Sequence, residues 1–344
     1  MQKTYIITGS TGHLGNNIIR KLAKSNDKIR AFVLNNENCD FIKFDNVEIF
    51  YGDIRNKEDI EKMFFDLNRE NNKLIVIHCA GIVSVATKKD PLIEDVNVGG
   101  TKNIVELSLK YNVDRFIYVS SVHAIREKKD NKVIYETRAF SDKFIVGQYA
   151  KSKAKATNYV LESLKKGLKA IIVHPSGIIG PNDFGKSNTT MLIEEYVNKK
   201  LTARVDGGYD FVDVRDVSDG IINSIEKGKI GECYILSGYY ITLKDFFEKL
   251  KRICKRKKMP TVLPMWFAKL TIPFSELYYK IIRKPPIYSK YSLYTLRANA
   301  NFSNKKAKEN LNYTTRDLYD SINDSVFSLI EQNGFFEQRY ADLY

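Results

Sequence analysis

The sequence predicts an α/β fold: a doubly wound parallel sheet with a smaller, mostly helical C-terminal lobe. Three observations predict it. Short apolar runs alternate with helical periodicity through the first half, a glycine-rich turn directly follows the first run, and the alternation weakens after Pro175, where prolines and aromatics accumulate. Strand–helix alternation implies right-handed crossovers and a sheet covered on both faces.

The elements follow in order. Thr4 to Thr8 is a continuous apolar strand, and Leu14, Ile18, Ile19 and Leu22 mark the helix after it. Strands are expected at Lys28 to Leu34 and Val47 to Tyr51, then a helix carrying Ile60, Met63, Phe64 and Leu67. Leu74 to Cys79 is apolar enough for a strand buried on both faces. A helix over Val98 to Leu109, a strand at Arg115 to Val119, a helix over Gln148 to Leu164 and a strand at Lys169 to His174 complete the first half. Beyond it, Phe211 to Val214 and Cys233 to Leu236 are short strands expected to return to the main sheet, and a helix runs from Thr242 to about Cys254.

Bulk properties narrow the function. At 344 residues the chain holds about two lobes and a large core. With 43% hydrophobic and 28% charged residues, long disorder is not expected. The net charge of +14 sits partly in runs such as Lys165-Lys166, Lys199-Lys200 and Lys255-Arg256-Lys257-Lys258. No basic run is interleaved with aromatics, so nucleic acid is not an expected partner. The four cysteines lack ligand spacing and no metal site is expected. No leader pattern and no apolar run of about 18 residues is visible, so the expectation is a cytoplasmic protein with no transmembrane segment.

Gly9-Ser10-Thr11-Gly12-His13-Leu14-Gly15 reads G-x-x-G-x-x-G between strand and helix. Gly9 permits a tight turn, Gly12 lets backbone approach a pyrophosphate, and Gly15 permits close helix packing. Free N–H groups and the helix dipole then face the phosphates, so Gly9, Thr11, Gly12, His13, Leu14 and Gly15 are candidate dinucleotide ligands. Residues 1–175 form the dinucleotide-binding domain, with 209–238 returning to it, and 176–208 and 239–344 form the substrate lobe. The second strand ends at Leu34-Asn35-Asn36, where an NAD-preferring unit places an acid. None is there, Arg30 and Lys43 are in the neighbourhood, and the reading leans to NADP over NAD, with Asn35 near the ribose. In Gly52-Asp53-Ile54, Asp53 either accepts the adenine amino group or caps the next helix. Cys79, Ala80 and Gly81 end the fourth strand in small residues over which a flat cofactor can pass.

Tyr149 and Lys153 lie one helical turn apart. A phenol of pKa about 10 is a poor acid or base at neutral pH. A neighbouring ammonium lowers that value, and the lysine can also bond the cofactor ribose. Ser121, at the end of the fifth strand, can hold a substrate oxygen against the tyrosine.

The chain resembles the extended short-chain dehydrogenase/reductase family, also called the NAD-dependent epimerase/dehydratase family. The residues are TGSTGHLG (8–15), GDI (52–54), HCAG (78–81), NVGGT (97–101), YVSSVHA (118–124), YAKSK (149–153), HPSGIIGP (174–181), VDVRDV (212–217) and GECYILSG (231–238). The resemblance implies a proton-transfer Tyr149, a ribose-binding Lys153 and a substrate-orienting Ser121, with Ser120 as the alternative. It implies that Asn97 supports a water relay, unless it caps or kinks its helix. Pro175 and Ser176 match the segment flanking the nicotinamide.

Sugar-nucleotide epimerases carry a diphosphate-gripping Arg where this chain has Tyr209, and Arg215 reads as structural. Trp266, Phe267, Phe274, Tyr278, Tyr279, Tyr288, Tyr291 and Tyr294 make the C-terminal lobe aromatic. They line an apolar pocket or form that lobe's core. With HPSGIIGP, these features look closest to the dihydroflavonol-reductase-like and 3β-hydroxysteroid-dehydrogenase-like branches. The leading expectation is an NAD(P)-dependent oxidoreductase acting on a small, fairly apolar carbonyl or alcohol. A nucleotide-sugar epimerase or dehydratase with tightly held NAD is the alternative, and a non-catalytic dinucleotide sensor a third. The resemblance allows a homodimer through the Tyr149 helix. Pro264 to Arg283 reads as a substrate-lobe helix in preference to one lying on a membrane.

Overall fold

The computed structural model describes residues 2–67, 70–86, 89–281 and 289–332, with the side chains of 274–280 outside that description. In chain order the elements are β1 (Gln2–Thr8), α1 (His13–Leu22), β2 (Lys28–Val33), β3 (Val47–Tyr51), α2 (Lys57–Glu61), β4 (Asn72–His78), α3 (Pro91–Glu94), α4 (Thr101–Lys110), β5 (Arg115–Val119), α5 (Gln148–Ser163) and β6 (Ala170–Pro175). There follow β7 (Gly177–Ile179), α6 (Asn188–Val197), β8 (Ala203–Val205), β9 (Gly208–Asp213), α7 (Val214–Lys227), β10 (Cys233–Leu236), β11 (Tyr239–Thr242), α8 (Leu243–Ile253), β12 (Thr261–Leu263), α9 (Met265–Ile281), α10 (Lys290–Thr295), α11 (Lys305–Leu311) and α12 (Leu318–Gln332).

Seven parallel strands run in the order β10-β6-β5-β4-β1-β2-β3. Apolar residues on both faces of each strand drive this burial. Ile7, Ile75, Ile77 and Ile117 pack with Ile18 and Ile19 of α1 and Val217 and Ile221 of α7. Ile6, Val76, Phe116 and Ile172 pack with Ile104 of α4 and Ala150, Ala154 and Val160 of α5. The order reverses between β1 and β4, which opens a crevice beyond their carboxyl ends.

The second lobe has its own core. Phe211, Ile241, Phe246, Phe247 and Leu250 pack with Ile193, Ala268, Ile272, Leu293, Ile322 and Val326. Cys233–Leu236 joins the main sheet beside β6, but the run containing Phe211 to Val214 does not. β9 pairs with β7 and β11 in a separate three-stranded sheet. The reason is local: Gly177 has no side chain, and a Cβ there would lie 3.0 Å from the Asp210 carbonyl oxygen, so β7 can take one edge of β9 while β11 takes the other. The helix read over Val98 to Leu109 begins instead in a π-helical turn, Asp95–Gly100, ahead of α4. Gly99 and Gly100 weaken the regular ladder there.

Candidate active site

The phosphate turn has the form its glycines require. Gly9 adopts φ +67°, and a Cβ on it would lie 2.7 Å from the Ala80 nitrogen. A Cβ on Gly15 would lie 2.1 Å from the Gly9 carbonyl oxygen, so α1 can rest on the turn only through a glycine. Gly12 is exposed, has ordinary backbone angles and caps α1 without any side-chain hydrogen bond. The first turn of α1 contains no acid. Exposed glycine, uncapped N–H groups and a positive dipole end are what a pyrophosphate needs.

The other candidate cofactor residues divide into two sets. Leu14 and Ile54 are buried in the core, and His13 turns its Nε2 to the Pro181 carbonyl at 3.1 Å. Their side chains are committed to the protein, which leaves only backbone groups to face the turn. Asp53 receives the backbone N–H (2.8 Å) and Nε (3.0 Å) of Arg55, which holds its carboxyl below the usual range, while Asn56 caps α2. Asn35 is exposed. Beyond it, Asn36 at φ +69° reverses the chain and brings Glu37 back to the turn, where its carboxylate accepts from the Thr11 hydroxyl. Arg30 is bonded to Glu48 and to the Met63 carbonyl, and Lys43 to Asp40. An acid therefore stands at the Thr11 end of the turn, one position past Leu34-Asn35-Asn36.

Tyr149 and Lys153 occupy one face of α5 above the ends of β4 and β5, and both are buried. Lys153 Nζ donates to the Val119 carbonyl at 2.8 Å. A Cβ on Gly81 would lie 3.2 Å from that Nζ and 3.1 Å from Asn97 Oδ1, so the small residue ending β4 keeps this corner open. Burial pushes the Tyr149 phenol up to about 12, against a hydrogen bond with Ser121 that pulls it down. Burial pulls Lys153 down to about 8.

Of the two candidate serines, Ser121 is the one at the phenol. Ser120 is turned away into a bond with Thr157 Oγ1 at 2.7 Å. Asn97, in the π-turn, donates to the Ile82 carbonyl (3.0 Å) and Ser152 Oγ (2.9 Å) and accepts from the Ile82 N–H (2.7 Å). It clamps residues 81–82 beside Lys153. Cys79 is held by its N–H on the Thr8 carbonyl, burial pushes its thiol up to about 12, and Ser176 closes the end of β6.

Besides Glu37, the sequence does not single out His123, a second residue of this site. It stands two positions after Ser121 and meets the Tyr149 ring edge-on at 6.3 Å. Its Nε2 lies 2.8 Å from the Tyr209 hydroxyl and its Nδ1 3.5 Å from that of Tyr291. Burial pulls His123 down to about 4, so it is neutral at pH 7. Its place in the YVSSVHA segment was the available signal. Tyr294 stacks on Tyr291, whereas Trp266 and Phe267 are exposed on α9. The side chains of Phe274, Tyr278 and Tyr279 and the whole of Tyr288 lie outside the described residues. Arg215 is structural: it pairs with Asp213 at 2.8 Å and Asp324 at 2.7 Å.

Lys153 supplies a stability test. Its folded value of about 8 lies below the ordinary 10.5, so between those pH values the unfolded chain binds the proton more tightly than the folded chain. Folded stability from this group therefore rises with pH across that window. Thermal unfolding of cofactor-free wild type and Lys153→Met should show the difference moving in the wild type's favour from pH 8 to 10.5, by at most about 3 kcal/mol. A pH-independent difference contradicts the buried ammonium.

A glycine turn at the switch point of a seven-stranded parallel sheet, with Tyr149 and Lys153 over the neighbouring strand ends, defines an NAD(P)-dependent oxidoreductase of the extended short-chain class. More narrowly, the chain belongs to the 3-beta hydroxysteroid dehydrogenase/isomerase family, which matches residues 6–225. Sterol demethylase protein B of Methylococcus capsulatus is 26% identical over 333 residues, covering 94% of this chain and 97% of that one. The crystal structure of gox2253 superposes with a TM-score of 0.81 at 29% identity, covering 96% of this chain and 98% of that one. The UDP-glucose 4-epimerase of Thermus thermophilus, solved in complex with NAD, superposes with a TM-score of 0.74 at 19% identity, over 95% and 98% of the two chains. That likeness is one of fold. Among the described residues no helix is long and apolar enough to cross a membrane, and no group of His, Cys, Asp and Glu could hold a metal ion.

Proposed function

We propose that the protein oxidises a secondary alcohol or reduces a ketone on a compact, largely apolar molecule, with Tyr149 exchanging the proton on oxygen. The observation that carries this reading is the surround of the Tyr149 phenol: Ser121 on one side, and a wall of His123, Tyr209 and Tyr291 on the other. The polar atoms of this wall are engaged with one another, the Tyr209 hydroxyl lying 2.8 Å from His123 Nε2 and the Tyr291 hydroxyl 3.5 Å from its Nδ1, so the rings favour an apolar substrate. Tyr209, in the place where an epimerase carries its diphosphate-gripping arginine, is committed to His123.

A bound nicotinamide supplies or accepts the hydride. In reduction the Tyr149 phenol, protonated at neutral pH, donates to the substrate oxygen. The Ser121 hydroxyl donates to that same oxygen and fixes its position. Lys153 stays cationic below about pH 8 and stabilises the phenolate left behind. Asn97 holds residues 81–82 so that Lys153 has a fixed neighbour.

The same reading takes NAD in preference to NADP. The Glu37 carboxylate at Thr11 can accept from a ribose hydroxyl, and it repels a 2′-phosphate. The test is a panel of alicyclic and aromatic ketones reduced with NADH or NADPH by wild type and Glu37→Gln. Turnover of apolar ketones with NADH, and a several-fold narrowing of the cofactor gap in the variant, are expected. Preference for NADPH that is unmoved in the variant removes Glu37 from the account, and failure to turn over any ketone with either cofactor removes the substrate class.

A further inference from the structure

The wall across from Ser121 holds one donor proton more than its own contacts use. His123, Tyr209 and Tyr291 meet there in two contacts, the Tyr209 hydroxyl with His123 Nε2 at 2.8 Å and the Tyr291 hydroxyl with His123 Nδ1 at 3.5 Å. A neutral imidazole has one N–H and one bare nitrogen, and each phenol has one O–H. Burial pulls His123 down to about 4 and pushes both phenols up, so near neutrality the three side chains carry one donor proton each. The two contacts use two of these protons, whichever ring nitrogen is protonated. Among the described residues neither hydroxyl has a further hydrogen-bond partner.

Relative basicity decides which proton is left over. An imidazole nitrogen is a stronger base than a phenol oxygen, so in the short contact Tyr209 donates to Nε2. Nδ1 then carries the ring proton and directs it at the Tyr291 oxygen across the looser contact. The bonds run in one direction, Tyr209 to His123 to Tyr291, and each polarises the next. The Tyr291 O–H is the unspent donor. Two features hold it in place. Gly147, at φ +96°, leaves room for the Tyr291 ring, and a Cβ there would lie 2.6 Å from Tyr291 Cζ. Ser289 caps α10, and its hydroxyl donates to the Val85 carbonyl, which ties α10 to the loop beyond Gly81. Tyr291 is buried, and a buried donor without an acceptor is a cost that an acceptor on a ligand removes.

We propose that Tyr291 determines specificity by donating its hydroxyl to a second oxygen of the substrate, an ether, carbonyl or hydroxyl oxygen on the side away from the reacting carbonyl. This deepens the function proposed above and rests on it. The substrate is an apolar ring ketone or alcohol with one further oxygen, in preference to a ketone on plain hydrocarbon. His123 is a positioning residue: it turns the Tyr291 proton outward by offering its own N–H to the Tyr291 oxygen. One such group is matched and no more, because the other donors of the wall are bonded within it. An analogue that lacks the oxygen leaves the Tyr291 proton buried and unpaired, and is disfavoured for that reason.

Ring ketones of graded size are compared in pairs that differ only by an ether oxygen in place of the CH2 opposite the carbonyl. Affinity is read by calorimetry on the full chain saturated with NAD, a complex in which a ketone cannot be reduced. Turnover is read separately with NADH. In wild type the oxygenated member of the best-fitting pair should bind about tenfold more tightly. In Tyr291→Phe, which keeps the ring against Gly147 and removes only the donor, that ratio should fall to about one. Equal affinities within every pair in wild type overturn the proposal. A ratio that survives in Tyr291→Phe overturns it as well, and so does failure of every ketone to bind. The expected ratios without turnover by NADH uphold the donor and remove the proposed reaction instead.

Discussion

Tyr149→Phe lowers ketone turnover by roughly 10²–10⁴-fold while NADH affinity stays within about twofold. The variant keeps the ring that fills the site beside His123 and removes only the oxygen. The core of the site is therefore undisturbed, and the loss reads as chemistry. Two features set the size of the effect. The phenol is buried and bonded to Ser121, so bulk water is a poor substitute proton source. Lys153, one turn away, is held on the Val119 carbonyl and remains in place. The oxidative direction should also rise with pH in the wild type, because burial holds the phenol protonated near neutrality and oxidation needs its conjugate base. Steady-state rates in both directions from pH 6 to 10, with separate fluorescence titration of NADH, check both points. A loss below about tenfold removes Tyr149 as the proton carrier.

A second large effect is expected at the phosphate turn, and a pair of variants separates its causes. Gly15→Ala puts a methyl group 2.1 Å from the Gly9 carbonyl oxygen and 2.9 Å from its carbon. Both are backbone atoms and neither can rotate away, so α1 must lift from the turn. The expected result is a lower melting temperature, a loss of roughly 1–3 kcal/mol for an overpacked contact, together with NADH affinity down by at least about a hundredfold. Gly12→Val differs. Gly12 has φ −66° and is exposed, and its Cβ would approach only the Gly9 oxygen, at 3.3 Å. That variant should fold with near wild-type stability and still lose NADH, because its side chain occupies the space a pyrophosphate needs. Thermal scans beside NADH titrations check the pair. Wild-type affinity in Gly12→Val means that the ligand does not sit on this turn.

Much of the sheet was legible because its strands are buried on both faces. Continuous apolar runs such as those of β1, β4, β5 and β6 have few readings in a soluble protein, and helical spacing marked α1, α4 and α5 between them. Tyr149 and Lys153 were legible because four-residue spacing on a helix fixes a shared face. Other features lay beyond reach for identifiable reasons. β7, β8 and β12 have three residues each, too few for periodicity to show. The π-turn that aims Asn97 at Ile82 depends on a register shift of one residue, which hydrophobic pattern does not record. Glu37 is not legible from spacing because a left-handed Asn36 turns the chain back toward Thr11. His123 depends on Tyr209 and Tyr291, residues 86 and 168 positions away.

In the proposed mechanism Tyr149, Ser121 and Lys153 surround the carbon and oxygen of a substrate presented to a nicotinamide on the Gly9–Gly15 turn. It is tested most directly by following deuterium from NADH labelled at the transferring C4 position, in one turnover with an apolar ketone. The label is expected on the carbinol carbon of the product in wild type, with free NAD released, and transfer roughly 10²–10⁴-fold slower in Tyr149→Phe despite saturating NADH. Label that reaches the product at equal rates in both proteins contradicts it, as does label that stays on a dinucleotide the wild type never releases.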